Sequence, residues 1–245
     1  MLDKVDIRWI EETDSTQDEV RRHLSDYDNM SVVAARLQTA GRGQRGNKWH
    51  ARGGENLTFS MLLRFVGNGF PPLDVSGNFR ITKAATLAVV EYLGKKGIGS
   101  LIKWPNDIYV GDRKICGILI ENMLWGRIID ESIVGIGLNV NQKAFLSDAP
   151  NPVSLIQLTG KDTDREALLQ AFLKALPEAL EMEPEALAEA YRRRLYRQDG
   201  FYAFMDGRGR FMAKVLDVLN DGRLVLLDAE GTARMYACKE VQFCF

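Results

Sequence analysis

The chain has 245 residues, 46% hydrophobic and 27% charged, with a formal net charge of −1. That length permits one sizeable core with a small appendage, and the near-neutral balance argues against a broad nucleic-acid binder. Three cysteines (Cys116, Cys238, Cys244) and two histidines (His23, His50) are too few for a disulfide framework or a zinc centre, and no membrane-length run or signal peptide is read, so a cytoplasmic soluble protein is expected.

Taken in chain order, Val5–Ile10 reads as a strand and Thr16 to Leu24 as a short helix, with Thr16 and Glu19 at capping-box spacing. Ser31–Leu37 and Leu57–Phe65 read as strands on either side of a glycine-rich loop. Phe79–Leu93 has helical apolar spacing and stops at Gly94 and Gly97. Strand character returns at Leu101–Trp104, Ile108–Val110, Lys114–Glu121 and Ile128–Val140, before helices at Asp164–Leu180 and Pro184–Tyr196. From Gly200 onward short strands alternate with turns such as Asn220-Asp221-Gly222, which predicts a separate small barrel. The domains expected are therefore residues 1–198 and 199–245.

Four constellations carry chemistry. The first is the loop 41–54, GRGQRGNKWHARGG, in which five glycines, four cations and one tryptophan occur without a carboxylate. Glycine frees backbone N–H groups to meet an anion, and the cations and indole suit phosphates and a base. A disordered, RNA-contacting segment is the alternative reading.

The second is LIKWPNDIYVGDRKICGILIEN, residues 101–122, folded by a Gly111-Asp112 turn. That register pairs Val110 with Arg113 and Tyr109 with Lys114, and brings Asn106 opposite Gly117. Lys103 and Lys114 are unusual in such apolar strands, though snorkelling at strand ends would also account for them. Lys114 and Gly117, three apart, should face opposite sides of a regular strand, so either a bulge intervenes or the glycine admits a ligand to its backbone.

The third is Ile133–Val140, where Val134, Ile136, Leu138 and Val140 share a core face while Gly135, Gly137 and Asn139 share the other. Two glycines on one face leave room for a flat group, or for a closely packed helix. The fourth is Asp14-Ser15-Thr16-Gln17, an N-cap signal that can also serve a ligand at a helix start.

Together these motifs resemble the biotin protein ligases: Ser15-Thr16, Gln38 with Ala40-Gly41-Arg42-Gly43, the corner Lys103–Asp107, Lys114 with Gly117, and the strand Gly135–Asn139. The resemblance covers residues 10–140 closely. It implies an α+β fold, a mixed sheet flanked by helices as in class II aminoacyl-tRNA synthetases, with a small C-terminal Src-homology-3-like β-barrel. It implies joining of biotin to ATP, with Mg2+, as biotinyl-5'-AMP, and transfer of biotin to a lysine of a biotin carboxyl carrier protein domain.

The residues carried over by that resemblance are Lys114, Arg42 and Asp107 as catalytic, with Lys114 bridging the biotin carboxylate and α-phosphate and Asp107 orienting or deprotonating the incoming lysine. Ser15, Thr16, Gln17, Gln38, Gly41, Arg42, Gly43, Gln44, Lys114, Gly117, Gly135 and Gly137 are expected around biotin. Arg45, Lys48, Trp49, Lys103, Asn106 and Asn139 are expected around ATP, with Trp49 as the adenine wall. Gln44 stands where many relatives carry arginine, and Gln17 where many carry asparagine. Only about 14 residues precede Ser15, so ligase activity without DNA binding is expected, from a monomer or weak homodimer. Lipoate or octanoate transfer on the same fold, and a nucleic-acid-binding or sensor module built on the loop, are the alternatives.

Overall fold

The computed structural model describes residues 5–67, 69–145 and 151–245, with Arg45 represented by its backbone alone. In chain order the elements are β1 (Ile7–Thr13), α1 (Thr16–Arg22), β2 (Val32–Gln38), β3 (Leu57–Arg64), β4 (Leu73–Asp74), α2 (Phe79–Lys95), β5 (Leu101–Lys103), β6 (Asp107–Val110), β7 (Arg113–Trp125) and β8 (Ile128–Leu138). They continue with α3 (Leu155–Thr159), α4 (Arg165–Glu181), α5 (Pro184–Arg192), β9 (Tyr202–Asp206), β10 (Gly209–Val218), β11 (Leu224–Asp228), β12 (Ala233–Tyr236) and β13 (Val241–Phe243).

A mixed sheet runs in the order β1-β2-β3-β8-β7-β6-β5, with β4 pairing β8. Strands β1 and β2 are parallel and the other ladders antiparallel. Its two faces differ because side chains alternate along each strand. Phe59, Met61, Val134, Ile136, Cys116 and Ile118 belong to the main buried core, together with residues of α2, α4 and α5. The opposite face carries α1 and a small cluster of Val20, Tyr27, Val33, Leu62 and Ile133. Beyond that cluster the face is built from Thr58, Ser60, Gly135, Gly137 and Gly117, none of which fills space above the sheet. That shortage of side-chain bulk makes a cavity.

The expected helix near Thr16 forms, but not through the expected cap. Ser15 takes the N-cap position without a side-chain cap bond, and the Thr16 hydroxyl turns to Gln38 and Ser60. Helix α3 is not among the elements expected from the sequence, although Ser154 and Gln157 form a full capping box at its start.

The hairpin register also departs from expectation. Val110 pairs with Arg113 and Tyr109 with Lys114, but Ile108 then pairs with Cys116 and Asp107 with Gly117. Ile115 is the additional residue of a β-bulge, and its side chain is fully buried. Gly117 therefore lies opposite Asp107, not Asn106, and Lys114 and Gly117 come to the same face.

The C-terminal segment forms its own antiparallel sheet, ordered β12-β11-β10-β9-β13. No β12–β13 ladder closes it into a barrel among the described residues. Phe204, Val215, Leu224 and Leu226 from this sheet join the main core, so the two sheets share one apolar interior. No helix among the described residues is long and apolar enough to cross a membrane.

Candidate active site

A cavity of about 240 Å³ lies over the bare patch, lined by Thr16, Gln38, Trp49, Asn106, Lys114 and Gly137 among others. A neighbouring recess of about 1130 Å³ is walled by residues of 38–52 with Leu119, Glu121 and Gln142. The glycine-rich loop separates and borders both.

That loop folds back on itself. Trp49 donates its backbone N–H to Gly41 at 2.9 Å and Gly43 donates to Asn47 at 2.7 Å, around a tight turn at Gln44–Gly46. Of the glycine amides expected to face an anion, that of Gly43 is thus engaged inside the loop. Gly41 is required here, because a Cβ would fall 2.4 Å from the Trp49 carbonyl oxygen. The Arg42 guanidinium reaches across to Asp18 at 2.5 Å and Glu121 at 2.8 Å. Burial opposes the charge on Arg42, but Glu121 and Asp18 outweigh it and its pKa is raised. Burial likewise raises the Glu121 carboxyl, while the Gln17 amide and the charges of Arg21 and Arg42 hold it below the ordinary value. Arg42 is therefore an anchor between loop, α1 and β7, and also a lining residue of the cavity.

The floor consists of paired glycines. Gly117 lies opposite Gly137 in the β7–β8 ladder. A Cβ on Gly137 would stand 2.3 Å from Trp49 Cε2, and one on Gly135 would stand 2.5 Å from Gln17 Oε1. The flat group expected on this strip is, in this conformation, the Trp49 indole. Its Nε1–H is buried without a hydrogen-bond partner, an orphaned donor inside the cavity wall.

Lys114 rises beside it. Its Nζ is 2.6 Å from Asp107 Oδ1 and 5.9 Å from the centre of a Trp49 ring. The bulge turns the backbone of Lys114 outward, and residues 151–153 take it up: Lys114 N–H donates to Asn151 O, and Val153 N–H donates to Lys114 O, both at 2.9 Å. Asn139 secures the same place. Its N–H donates to Ile115 O at 2.9 Å and its amide donates to Val153 O at 3.1 Å. The structure thus places Asn139 beneath Lys114 as a backbone tie, outside the cavity lining.

At the α1 side a neutral network runs through buried groups. Thr16 N–H donates to Gln38 Oε1 at 2.8 Å, and the Thr16 hydroxyl lies 2.9 Å from Ser60 Oγ. Ser60 donates to Gln17 Oε1 at 3.0 Å, and Gln17 Nε2 donates to Ile133 O at 2.9 Å. Ser60 is a residue the sequence reading missed. Its signal was polar alternation, Thr58 and Ser60, inside an otherwise apolar strand.

The remaining expected residues divide. Gly43, Gln44, Lys48 and Asn106 line the cavity with those already named. Asn106 is held twice to one residue of β7, its backbone carbonyl accepting from Ile118 N–H at 3.1 Å and its side-chain amide donating to Ile118 O. Gly41 lines only the neighbouring recess, and Ser15 is buried outside both linings. Lys103 is turned away beneath the site, its Nζ 4.8 Å from the Phe243 ring and 5.3 Å from Tyr109. Burial pushes its ammonium pKa down, against the pull of Asp107. The Arg45 side chain lies outside the described residues. Cys238 and Lys239, in the turn between β12 and β13, also line the cavity, so the C-terminal segment reaches the site.

Among known proteins, the description Biotin/lipoate A/B protein ligase family matches residues 9–139. The bifunctional ligase/repressor BirA of Bacillus spizizenii is 31% identical over 84% of this chain, and the chain spans only 64% of that relative's length. The biotin–[acetyl-CoA-carboxylase] ligase of Paracoccus denitrificans is 32% identical, over 66% of this chain and 68% of its own. In three dimensions the biotin protein ligase from Aquifex aeolicus, solved in complex with biotin and ATP, superposes with a TM-score of 0.78 at 27% identity, over 98% of this chain and 99% of the other. Sequence, cavity and likeness agree, and the chain belongs to the biotin/lipoate A/B protein ligase family.

Proposed function

We propose that this protein is an ATP-dependent biotin protein ligase. The observation that carries the reading is one cavity lined both by a neutral donor–acceptor network (Thr16, Gln17 and Gln38, tied together through the buried Ser60) and by cations (Lys114, Lys48) above a glycine floor. Such a cavity suits a molecule with a neutral polar ring at one end and a carboxylate to be brought against phosphates. The biotin-bound and ATP-bound relative supports that choice.

In the first step a carboxylate oxygen of biotin attacks the α-phosphorus of ATP. The bond to the bridging oxygen of the β-phosphate breaks, and pyrophosphate leaves. Both reactants are anions, so charge neutralisation and alignment supply most of the catalysis. Lys114 is the group for this, its ammonium fixed by Asp107 and its backbone by Asn139 and residues 151–153. In the second step the neutral amine of a carrier-protein lysine attacks the acyl carbon, the bond to AMP breaks, and the nitrogen loses a proton. Asp107, already at the corner, orients that amine or takes the proton. The carrier is a biotin carboxyl carrier protein domain. Among the described residues no three His, Cys, Asp or Glu side chains cluster as a metal site; Mg2+ enters this proposal only as the counterion of the ATP substrate.

The test is biotin-dependent exchange of labelled pyrophosphate into ATP, followed by labelling of an acceptor domain. Exchange with biotin and not with lipoate supports the reading. Exchange only with lipoate, or none with either, overturns it.

A further inference from the structure

The turn between β10 and β11, residues 219–223, lies against the catalytic corner. It is closed internally by Leu219 N–H to Arg223 O at 2.9 Å and Gly222 N–H to Leu219 O at 3.0 Å. Arg223 adds a side-chain bond to Asp221 at 2.7 Å. From this rigid turn two groups reach the larger sheet and its helix. The Gly222 carbonyl accepts the indole N–H of Trp104 at 2.8 Å, and Asn220 Oδ1 accepts from Lys83 Nζ at 3.2 Å. Trp104 and Lys83 are both 4% exposed, and the exposed Asn220 meets the Lys83 ammonium at the edge of that buried region. Gly222 has φ of +87° and a Cβ there would fall 2.7 Å from the Phe79 ring. The turn is seated as closely as backbone allows.

Trp104 is also where the corner begins. Pro105 and Asn106 follow into the cavity lining, Asn106 is fixed to Ile118, and Asp107 holds Lys114 at 2.6 Å. A continuous set of contacts thus joins Asn220 and Gly222 to the Lys114 ammonium. We propose that this turn of the C-terminal sheet is a positioning element for catalysis, holding Trp104 so that Asp107 and Lys114 keep their aim into the cavity. Displacements well below 1 Å matter to a reaction that depends on alignment of two anions. The inference rests on the adenylate-forming reading above for its kinetic readout.

The experiment uses the full chain and three variants: Trp104→Phe, which keeps a ring but loses the N–H; Asn220→Ala; and Asn220→Asp, which keeps an acceptor for Lys83. Biotin-dependent pyrophosphate exchange is measured for kcat and for KM of biotin, with thermal melting in parallel. Trp104→Phe and Asn220→Ala should lower kcat about tenfold while KM for biotin stays within about twofold, and Asn220→Asp should restore kcat. Unchanged kcat in either lesion overturns the inference, as does a loss that Asn220→Asp fails to restore. If Trp104→Phe does not fold, the Asn220 pair alone decides. Absence of exchange in the unaltered protein is a separate result, and it overturns the ligase reading itself.

Discussion

A methyl group on Gly137 would fall 2.3 Å from Cε2 of Trp49. The glycine and the indole therefore occupy the site as a pair. Gly137→Ala should expel the ring, shift tryptophan emission to the red and lower adenylate formation at least tenfold, since neither contact can be kept. An unchanged spectrum together with an unchanged rate would show that the indole does not rest there in solution.

The same pairing predicts movement during binding. The Trp49 Nε1–H is buried and unpartnered, a state that costs about 1–3 kcal/mol. A ligand seated on the glycine floor must displace the indole and relieves that cost. Biotin with ATP should change Trp49 emission, and Trp49→Phe should abolish most of the change, measured by fluorescence titration.

Lys114→Ala should reduce the first half-reaction about 10- to 100-fold, the effect of losing about 1.5–3 kcal/mol of charge-assisted bonding. Asp107→Asn keeps the shape of the corner and removes its charge. It should impair transfer to the carrier more than adenylate formation, as followed by measuring the two half-reactions separately. Equal losses in both would assign Asp107 to Lys114 alone.

Thr16→Val removes a hydroxyl from the network joining Gln38, Ser60 and Gln17. Gln38 Oε1 keeps the Thr16 backbone N–H but loses the hydroxyl, and Ser60 loses its neighbour, which should weaken biotin binding about tenfold while leaving the KM for ATP unaltered. Calorimetry with biotin and steady-state kinetics with ATP separate the two effects.

Glu121 makes a prediction about pH. Its folded pKa is below the ordinary 4.5 despite burial, because the Gln17 amide, Arg21 and Arg42 favour the charged form. The unfolded chain then binds more protons in the window below 4.5, so the stabilisation is full above that value and is lost as pH falls through the folded pKa. The stability difference between wild type and Glu121→Gln should be flat from neutrality to about pH 5 and shrink below it. Chemical denaturation across that range measures it; a difference that grows on acidification would reverse the sign.

Much of the fold was legible because it is written locally. The apolar alternation of Val134, Ile136 and Leu138 does face the core, and Gly135 and Gly137 do form the bare strip. What stayed hidden depended on distant partners. Thr16 carries a capping signal, but its hydroxyl is claimed by Gln38 and Ser60, 22 and 44 residues away. Asn139 is expected around ATP from the family resemblance; the partners of its amide are the backbone carbonyls of Lys114 and Val153, which come together only in the fold. Ser60 offered only a polar position in an apolar strand, and Gly135 opposite it gives that position meaning. Lys239 stands in a segment that resembles a remote small sheet, and only the shared core brings it to the cavity.

The bulge at Ile115 also constrains how this hairpin can vary in length. Were Ile115 paired as an ordinary strand residue, the regular register would continue, Cys116 would face Asp107, and everything beyond it in β7 would exchange sides relative to β6. Cys116 and Ile118 would then enter the cavity, while Gly117 and Glu121 would be driven into the helix-packed interior. Removing Ile115 would leave Cys116 opposite Ile108 and Gly117 opposite Asp107, whereas one further residue between the turn and Gly117 has either to widen the bulge or to shift the strand, and residues added at the Gly111-Asp112 tip leave its parity untouched. Insertions among functional variants should therefore collect at that tip and be absent from residues 113–117.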